Sequence, residues 1–411
     1  MGEGSGHTVN WETEDVWMNV RKLYYDSAYQ KEFEGTVVSC TEGKRGFEVV
    51  LDETAFYPEG GGQPFDTGLL GAVHVLEVHE KNGQIIHTTD GPLPVGERVH
   101  GAIDWERRFL NMQLHSGEHL VSGLIHQTFG YDNVGFHMGM EEVTIDFNGL
   151  LEWDDLMEIE TRANTMIWEN REIEAGFYTK DELRDLDYRS KKELTGEIRI
   201  VRIPDGDTCA CCGTHVSCTG EIGLVKFTGM IHYKGGVRIS LLCGKRAVAD
   251  YERMRGQLHR ISNLLSIRPG EAAEAVEKMK HEMAAMQGKL AECVRQMIEM
   301  KIRVLPESDK ELYVIEKDFS APQLRQFANR LLEEGKAKTA LVLSENGEEN
   351  FVYVLASRGG DMRACSKELN LLLNGRGGGS QEMAQGTFFK NKKALCAILK
   401  EKGFTDANAG C

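Results

Sequence analysis

Two pairs of potential metal ligands, far apart in the chain, constrain this fold more than any other feature. His115 and His119 lie in a helical pattern, where the i and i+4 spacing places both imidazoles on one face. Cys211 and His215 follow much later, in a loop that contains glycine. Thiolate and imidazole groups are good ligands for zinc. A shared ion would therefore require this helix and this loop to meet.

A redox site or a zinc ribbon built from the cysteines fits the sequence less well. Cys209 and Cys212 form a C-x-x-C, but a thioredoxin-type site needs a strand-to-helix turn, and here another strand is predicted to follow. A zinc ribbon needs a second C-x-x-C, which the sequence lacks. We interpret the remaining cysteines of this region as core thiols or thiols beside the ligands: Cys218 and Cys243. The sequence leaves open whether Cys209 or Cys212 replaces Cys211 as a ligand.

Composition excludes several classes of protein. Ten cysteines in 411 residues are too few for a disulfide scaffold. A net charge of −16 disfavours indiscriminate binding to nucleic acid or anionic lipid, although local basic patches could still hold RNA. The sequence contains no apolar run long enough to span a membrane and no secretory leader. We therefore expect a cytoplasmic protein with no membrane partner.

The pattern of strands and helices predicts several domains. The first residues, 1–17, are polar and acidic and are interpreted as an extension. Residues 18–95 alternate as β-strands do, and 96–250 mix strands with helices at 104–130 and 152–172. Residues 307–411 are predicted to form an α/β domain. Its predicted strands are LYVIE, TALVLSE and FVYVLAS, and its predicted helices cover 321–335, 361–373 and 391–402. A glycine-rich turn is predicted at 375–380.

A long amphipathic helix is predicted within the remaining segment, 251–306. Apolar residues repeat at alternating spacings of three and four, which is the seam of a coiled coil. The helix begins at Pro269 and ends before Pro306. The seam could pair with a second chain or within a hairpin, or it could pack on its own domain. Its members are Val276, Met279, Met283, Met286, Leu290, Cys293, Met297, Met300 and Val304.

Three motifs, in their order and separation, resemble those of the alanyl-tRNA editing proteins and of the editing domain of alanyl-tRNA synthetase. They are FYPEGGGQ at 56–63, H-x-x-x-H at 115–119, and C-x-G-T-H at 211–215 followed by V-x-x-T-G-E-I-G. The resemblance covers residues 19–250. The helical segment and the last domain are similar to the C-terminal region of the same synthetase, so nearly the whole chain resembles the long form of the editing family.

The resemblance implies an α+β multidomain fold. It comprises a small N-terminal β-barrel, a zinc-containing α/β editing domain of the threonyl- and alanyl-tRNA synthetase type, a coiled-coil helical segment and a C-terminal DHH-associated α/β domain. It also implies a free-standing deacylase that hydrolyses the ester of alanine tRNA mischarged with serine or glycine. Because a small apolar pocket rejects an added hydroxyl or a missing methyl poorly, a synthetase for alanine needs such editing. We expect no ATP-dependent aminoacylation, and we expect a homodimer through the helical segment.

By the matching motifs, four residues hold one zinc ion per chain: His115, His119, Cys211 and His215. Four protein ligands fill a tetrahedral site, which is the pattern of structural zinc. Either one ligand yields, or the ion becomes five-coordinate, or it only positions the substrate. We favour a direct role of zinc as a Lewis acid or positioning group.

The resemblance also implies roles around the metal. Thr54 stands where the family has a threonine that faces the substrate side chain, and it could hydrogen-bond a serine hydroxyl. The turn of Gly60, Gly61 and Gly62 would approach the substrate closely, and Gln63 would bond the ribose or ester. Glu118 departs from the synthetase pattern. It is either a general base for water or a solvated carboxylate paired with Arg107 or a lysine.

Basic residues are candidates for contacts with RNA phosphate, because such contacts need lysine and arginine. Arg238 follows the zinc loop and is a candidate substrate contact. The clusters at 189–202 and 390–402 and the glycine-rich turn are further candidates, each of which could equally be ordinary solvated surface.

Two other functions remain open at this point. One is a tRNA-binding module whose zinc is purely structural. The other is a zinc peptidase, because His115-x-x-Glu118-His119 matches the H-x-x-E-H pattern of some metallopeptidases. That class typically takes its third ligand from a carboxylate on a later helix, whereas this sequence offers a cysteine and a histidine.

Overall fold

The computed structural model describes residues 20–139, 142–190, 196–347 and 349–407. The chain forms two compact units, Met1–Arg260 and Ile261–Cys411. Both units combine helices with sheets, which confirms the predicted α+β multidomain architecture. The extension predicted at 1–17 lies outside the described residues, and the finer division into five segments stays a prediction.

The first unit opens with a small barrel. Strands β2, β3, β7, β6, β5 and β8 close into it in that order. Alternate residues of these strands point inward, and Val49, Leu70 and Val78 are fully buried. The elements in chain order are β1 (Arg21–Lys22), α1 (Leu23–Asp26), β2 (Glu32–Gly43), β3 (Gly46–Leu51), β4 (Glu53–Thr54), β5 (Gly68–Leu70), β6 (Val73–Lys81), β7 (Gln84–Thr89) and β8 (Arg98–Ile103).

The rest of the first unit surrounds one central helix with two antiparallel sheets. Strand order is β14-β15-β10-β9 in one sheet and β11-β12-β13 in the other. The elements are α2 (Trp105–Phe129), β9 (Asn133–Met138), β10 (Val143–Phe147), α3 (Trp153–Trp168), β11 (Glu174–Tyr178), β12 (Ile198–Ile203), β13 (Asp207–Ala210), a 3₁₀ turn (Thr219–Ile222), β14 (Val225–Tyr233), β15 (Gly236–Cys243) and α4 (Gly244–Leu265).

Helix α2 matches the helix predicted at 104–130, and both of its ends are capped. The Asp104 carboxylate accepts a hydrogen bond from the Arg107 backbone N–H, and Gly130 ends the helix in the left-handed conformation. The stretch 111–125 is buried on every side, polar residues included. Because polar side chains in such a position need partners, this helix is where a functional site is expected.

The second unit is a mixed six-stranded sheet with helices, in the strand order β19-β20-β18-β17-β16-β21. The predicted strands and helices of this domain are confirmed. The elements are a 3₁₀ turn (Pro269–Glu271), α5 (Ala272–Val304), β16 (Glu311–Lys317), α6 (Ala321–Glu333), β17 (Thr339–Glu345), β18 (Asn350–Ser357), α7 (Met362–Leu372), β19 (Arg376–Gly379), β20 (Met383–Phe389), α8 (Lys392–Glu401) and β21 (Thr405–Asp406).

The glycine-rich turn predicted at 375–380 is wrong. Residues 376–379 form the edge strand β19, antiparallel to β20. A Cβ at Gly377 or Gly379 would lie 2.4 or 2.1 Å from a carbonyl oxygen of β20. The missing side chains therefore let two backbones approach, instead of shaping a loop.

Helix α5 is the long helix that the seam predicts, and it is buried only at Ile298 and Ile302, whereas the last seam residues, Met300 and Val304, are exposed. Ile298 and Ile302 enter the core of the second unit. Seam residues from Val276 to Leu290 are exposed. None of the described helices is both long and apolar enough to cross a membrane.

Candidate metal centre

Helix α2 presents two imidazoles to one point. His115 and His119 are one helical turn apart, both are buried, and their ring centroids are 5.2 Å apart. The loop after β13 places the other predicted pair against them. Cys211 Sγ lies 3.4 Å from His115 Nε2, and the ring of His215 lies 4.6 Å from that of His115. One ligand atom from each of the four residues lies within 4.8 Å of the others.

A glycine allows this close approach. A Cβ at Gly213 would lie 2.1 Å from the His115 ring. The loop between Cys211 and His215 thus packs directly on the helix, which only glycine permits at this position. The predicted meeting of the two segments is confirmed.

The protonation chemistry of the cluster suits a metal. Burial alone would raise the pKa of the Cys211 thiol, but the three imidazoles outweigh it and hold that pKa well below its usual value. Burial lowers the pKa of His215 to about 3, so its ring is neutral at physiological pH. Neither ring nitrogen of His215 has a hydrogen-bond partner among the described residues. A thiolate beside neutral, unpartnered imidazole nitrogen is what zinc requires.

Groups from distant segments orient the two helix histidines. Gln63 Oε1 lies 2.8 Å from His115 Nδ1, and the Gln63 amide also bonds Thr214. Asp207 Oδ2 lies 3.0 Å from His119 Nδ1. In both histidines the other nitrogen, Nε2, is left for a metal, the usual arrangement of a ligating histidine.

Asp207 is in turn held by Arg189. The guanidinium donates two hydrogen bonds of 2.8 Å to the carboxylate. Burial raises the pKa of Asp207, but the hydrogen bonds from His119 and Arg189, together with their charges, outweigh it and hold that pKa below its usual value. Sequence reasoning missed Asp207 and assigned Arg189 to an RNA-contacting cluster. A supporting carboxylate has no fixed spacing from its histidine, so the sequence carries no signal for it.

The cluster forms part of the wall of a cavity of about 510 Å³. Gly61 lines it, as the glycine-rich turn predicts. Gly62 instead approaches a neighbouring strand, since a Cβ there would lie 2.4 Å from the Phe136 ring. The other residues around the cavity include Glu118, Val134, Phe177, Arg199 and Cys212.

Glu118 is not the solvated carboxylate that one reading of the sequence predicts. Its side chain is buried and accepts hydrogen bonds from Ser122, at 2.7 Å, and from Asn133. Its second oxygen lies 3.9 Å from His119 Nε2. Because the helix is buried on all sides, the carboxylate faces the cavity beside the cluster rather than solvent.

The structure corrects two predicted substrate contacts. Thr54 is fully buried, with its hydroxyl 2.9 Å from His87 Nε2, and it does not line the cavity. Arg238 is not available as a simple phosphate contact, because Asp146 binds it through two hydrogen bonds of 2.6 and 2.8 Å. The sequence could not reveal either partner, since His87 and Asp146 come from strands distant in the chain.

Neither alternative cysteine replaces Cys211 in the four-residue cluster. Cys212 is exposed and lies outside it. Cys209 lies with His119 and Asp207 in a second possible group, but burial raises the pKa of its thiol to about 11 and Arg189 already engages Asp207. The first group therefore has the better donors. Cys243 is a core thiol, packed against Gly117.

Three family models match segments of the chain. Residues 9–107 match class II (A) tRNA synthetases, residues 198–262 match the second additional domain of threonyl and alanyl tRNA synthetases, and residues 309–402 match the DHHA1 domain. The cluster loop lies in the second of these segments.

Several proteins are similar to nearly all of the chain. An alanine–tRNA ligase of Pyrococcus furiosus is 31% identical over 98% of this chain, which spans 45% of that ligase. The alanyl-tRNA editing protein AlaX-L of Pyrococcus horikoshii is 28% identical over 93% of this chain and 98% of its own length. The alanyl-tRNA editing protein Aarsd1 of Mus musculus is 28% identical over 91% and 96%. The matches to AlaX-L and Aarsd1 extend over more than nine tenths of both chains, so this chain is similar to alanyl-tRNA editing proteins along almost its whole length.

Proposed function

We propose that this protein hydrolyses, in trans, the ester that joins serine or glycine to alanine tRNA. One observation carries the proposal: three buried imidazoles and the partly buried thiol of Cys211 meet beside a cavity, in a chain that matches the editing protein AlaX-L over 98% of its length. The cavity is large enough for a terminal nucleoside carrying a small amino acid. The partner is accordingly alanine tRNA mischarged with either residue.

One zinc ion is the metal that the donors fit best. His115, His119, Cys211 and His215 would hold it, since one thiolate and three imidazoles are typical zinc donors. When bound, zinc would supply a Lewis acid that polarises the ester carbonyl or positions the terminal ribose and amino acid.

Glu118 is the candidate general base. Ser122 and Asn133 hold one of its oxygens, which fixes the carboxylate at the cavity wall. From there it can accept the proton of an attacking water molecule. Gln63 takes a different role from the ribose contact that the sequence suggests: its amide orients His115 and ties the barrel domain to the metal loop.

The assembly belongs to the proposal as well. The exposed seam of α5 is the surface through which two copies would form a homodimer. A cytoplasmic location stays a prediction.

A substrate panel tests this function. Purified protein should deacylate alanine tRNA charged with serine or glycine faster than the same tRNA charged with alanine, and a chelator should abolish the activity. Cys211→Ala should lose both zinc and deacylation, and Glu118→Gln should keep zinc while losing about 100-fold or more in rate. Cys218→Ala, outside the ligand cluster, is the matched control for zinc content.

The contrary outcomes are distinct. Full deacylation by zinc-free protein would overturn the role of the metal. Binding of tRNA with no deacylation would indicate a binding module with structural zinc, and cleavage of peptides would indicate a peptidase. An unchanged rate in Glu118→Gln would leave that carboxylate a structural role only.

A further inference from the structure

One exposed aromatic side chain lines the cavity of the metal centre and has no part in the chemistry proposed above. Phe177, on strand β11, is 50% exposed. Among the described residues of the cavity wall, Val134 is the other large apolar residue that is exposed. Single exposed apolar residues are common on protein surfaces, so exposure alone assigns Phe177 no role. Its contacts do.

The Phe177 ring is held by a row of aromatic side chains. Tyr25 contacts it edge to face, with ring centroids 5.2 Å apart. Tyr24 makes the same kind of contact with Tyr25, at 4.6 Å, and with Tyr57, at 5.4 Å. Tyr24 and Tyr57 are buried, so the row is anchored in the core and ends at the cavity. Because edge-to-face pairs restrict the orientation of both rings, Phe177 presents a fixed surface to the cavity.

A single arginine links this surface to the metal loop. Arg199 lies directly opposite Phe177 in the register of β11 and β12, and both side chains line the cavity. The Arg199 guanidinium lies over the Tyr25 ring, 5.3 Å from its centroid. Its Nη1 donates hydrogen bonds of 2.9 Å to the carbonyl oxygens of Cys211 and Gly213. The loop that carries Cys211 and the ring of Phe177 are therefore fixed relative to each other across one side chain.

We propose that Phe177 is the surface on which the base of the terminal nucleoside of the tRNA stacks. The inference rests on the proposed function and adds the residue that would bind the nucleoside. With the ester at the metal cluster, the ribose and the base extend past Arg199 toward Phe177. The end of a tRNA is single-stranded, so its base is unpaired and can stack on an aromatic side chain.

The acyl group does not suit this surface. Serine and glycine have no apolar side chain that could cover a phenyl ring, whereas a base has a flat face of matching size. Stacking on Phe177 also leaves the polar groups at the other end of the cavity, Glu118 among them, to the ester and the amino acid.

A ligand with and without the base tests the proposal. The probe is a seryl-amino adenosine, in which an amide replaces the ester, and the second compound is the same molecule without the base. Titration calorimetry of the full-length, zinc-loaded protein gives both dissociation constants. For the unchanged chain, loss of the base should weaken binding by about 5- to 150-fold, as the stacking of one base on an aromatic ring implies.

Variants of Phe177 show whether this ring is responsible. Phe177→Leu keeps an apolar side chain but removes the ring, so the two compounds should bind it within a few-fold of each other. Phe177→Tyr keeps the ring and should restore the difference. Trp168→Ala is the control, because Trp168 is an exposed aromatic residue of the same unit that does not line the cavity. It should behave as the unchanged chain does.

The kinetics of deacylation provide a second readout. With alanine tRNA charged with serine, Phe177→Leu should raise KM and leave kcat nearly unchanged, because the base stacks equally in the ground state and the transition state. Zinc content and thermal melting should match those of the unchanged chain, since Phe177 is half exposed and lies outside the ligand cluster.

The contrary results separate the inference from the proposed function. If loss of the base weakens binding equally in the unchanged chain and in Phe177→Leu, the base lies elsewhere and the stacking role is overturned, while hydrolysis stands. A lower kcat at unchanged KM also overturns it, because Phe177 would then support the chemistry. If neither compound binds the unchanged chain even at millimolar concentration, the proposed function is overturned together with this inference.

Discussion

Single side chains around the metal centre divide into those that would bind the ion and those that orient them. His115 relies on Gln63, and His119 relies on Asp207 and, through it, on Arg189. Each orienting contact fixes which ring nitrogen carries the proton. The affinity for a metal should therefore depend on residues that never touch it.

Replacing Asp207 with asparagine should lower zinc affinity by about 10- to 100-fold, because His119 loses the carboxylate that orients its ring. Competition with a chromogenic chelator would measure this. The matched control is Asp146→Asn. It disrupts a similar ion pair, in which Arg238 donates two hydrogen bonds to the carboxylate, outside the ligand cluster. Equal zinc affinities in the two variants would mean that Asp207 contributes only to stability.

A buried histidine in the barrel makes stability depend on pH. His87 Nδ1 lies 3.0 Å from the Val49 carbonyl oxygen, so it must carry the proton, and Nε2 accepts from Thr54. Burial lowers the pKa of His87 to about 4. Between pH 6.5 and 4 the unfolded chain therefore binds the extra proton, and stability falls as pH falls through this window.

From pH 7 to pH 5, His87 should cost the first unit about 2 kcal/mol of unfolding free energy. Denaturant unfolding at the two pH values should show this loss in the unchanged chain and a smaller one in His87→Gln. Thr54→Val keeps the imidazole, so it should lose stability at both values and retain the dependence on pH. Identical pH dependence with and without His87 would contradict the assignment.

Among the elements, the glycine-rich turn supports the candidate metal centre mainly by packing against its neighbours, and contributes little to the surface of the cavity. Gly62 has a φ of +87° and approaches Phe136, and the next residue, Gln63, reaches His115. The turn therefore places the amide of Gln63 by packing against strand β9. Only Gly61 lines the cavity directly.

Gly62→Ala should displace the turn, because its Cβ would collide with Phe136 in addition to straining the backbone. We expect weaker zinc binding and a loss of about 2–4 kcal/mol in stability. Gly71→Ala is the control that measures the cost of backbone strain alone, because Gly71 has a φ of +56° and open space where a Cβ would lie. If both variants bind zinc as the unchanged chain does, the turn does not support the metal centre.

At the level of the whole molecule, the two units contain different functional features. The first holds the barrel, the cluster and the cavity, and the second holds the DHHA1 segment and the seam. The chain spans 45% of the similar ligase from Pyrococcus furiosus but 98% of the editing protein AlaX-L. The similarity to AlaX-L is the comparison that supports our proposal of hydrolysis in trans.

Local chemistry explains what could be predicted from the sequence. Apolar periodicity predicts helix α2, helix α5 and the strands of the last domain, because this signal acts within a few residues. The i and i+4 spacing predicts two imidazoles on one face. The glycines of 375–380 predict a turn where the structure has the edge strand β19, because glycine favours turns locally while the pairing of this segment with β20 is set by distant residues.

Residue types and their spacing are enough to predict which side chains could bind a metal and which helix carries two of them. The contacts that support these side chains become visible only in the folded chain: Asp207 contacts His119, Gln63 contacts His115, and Thr54 contacts His87 instead of the cavity. Ligand type and helical spacing are properties of neighbouring residues. The partner of a buried polar group, in contrast, is selected by packing between segments that are remote in the chain.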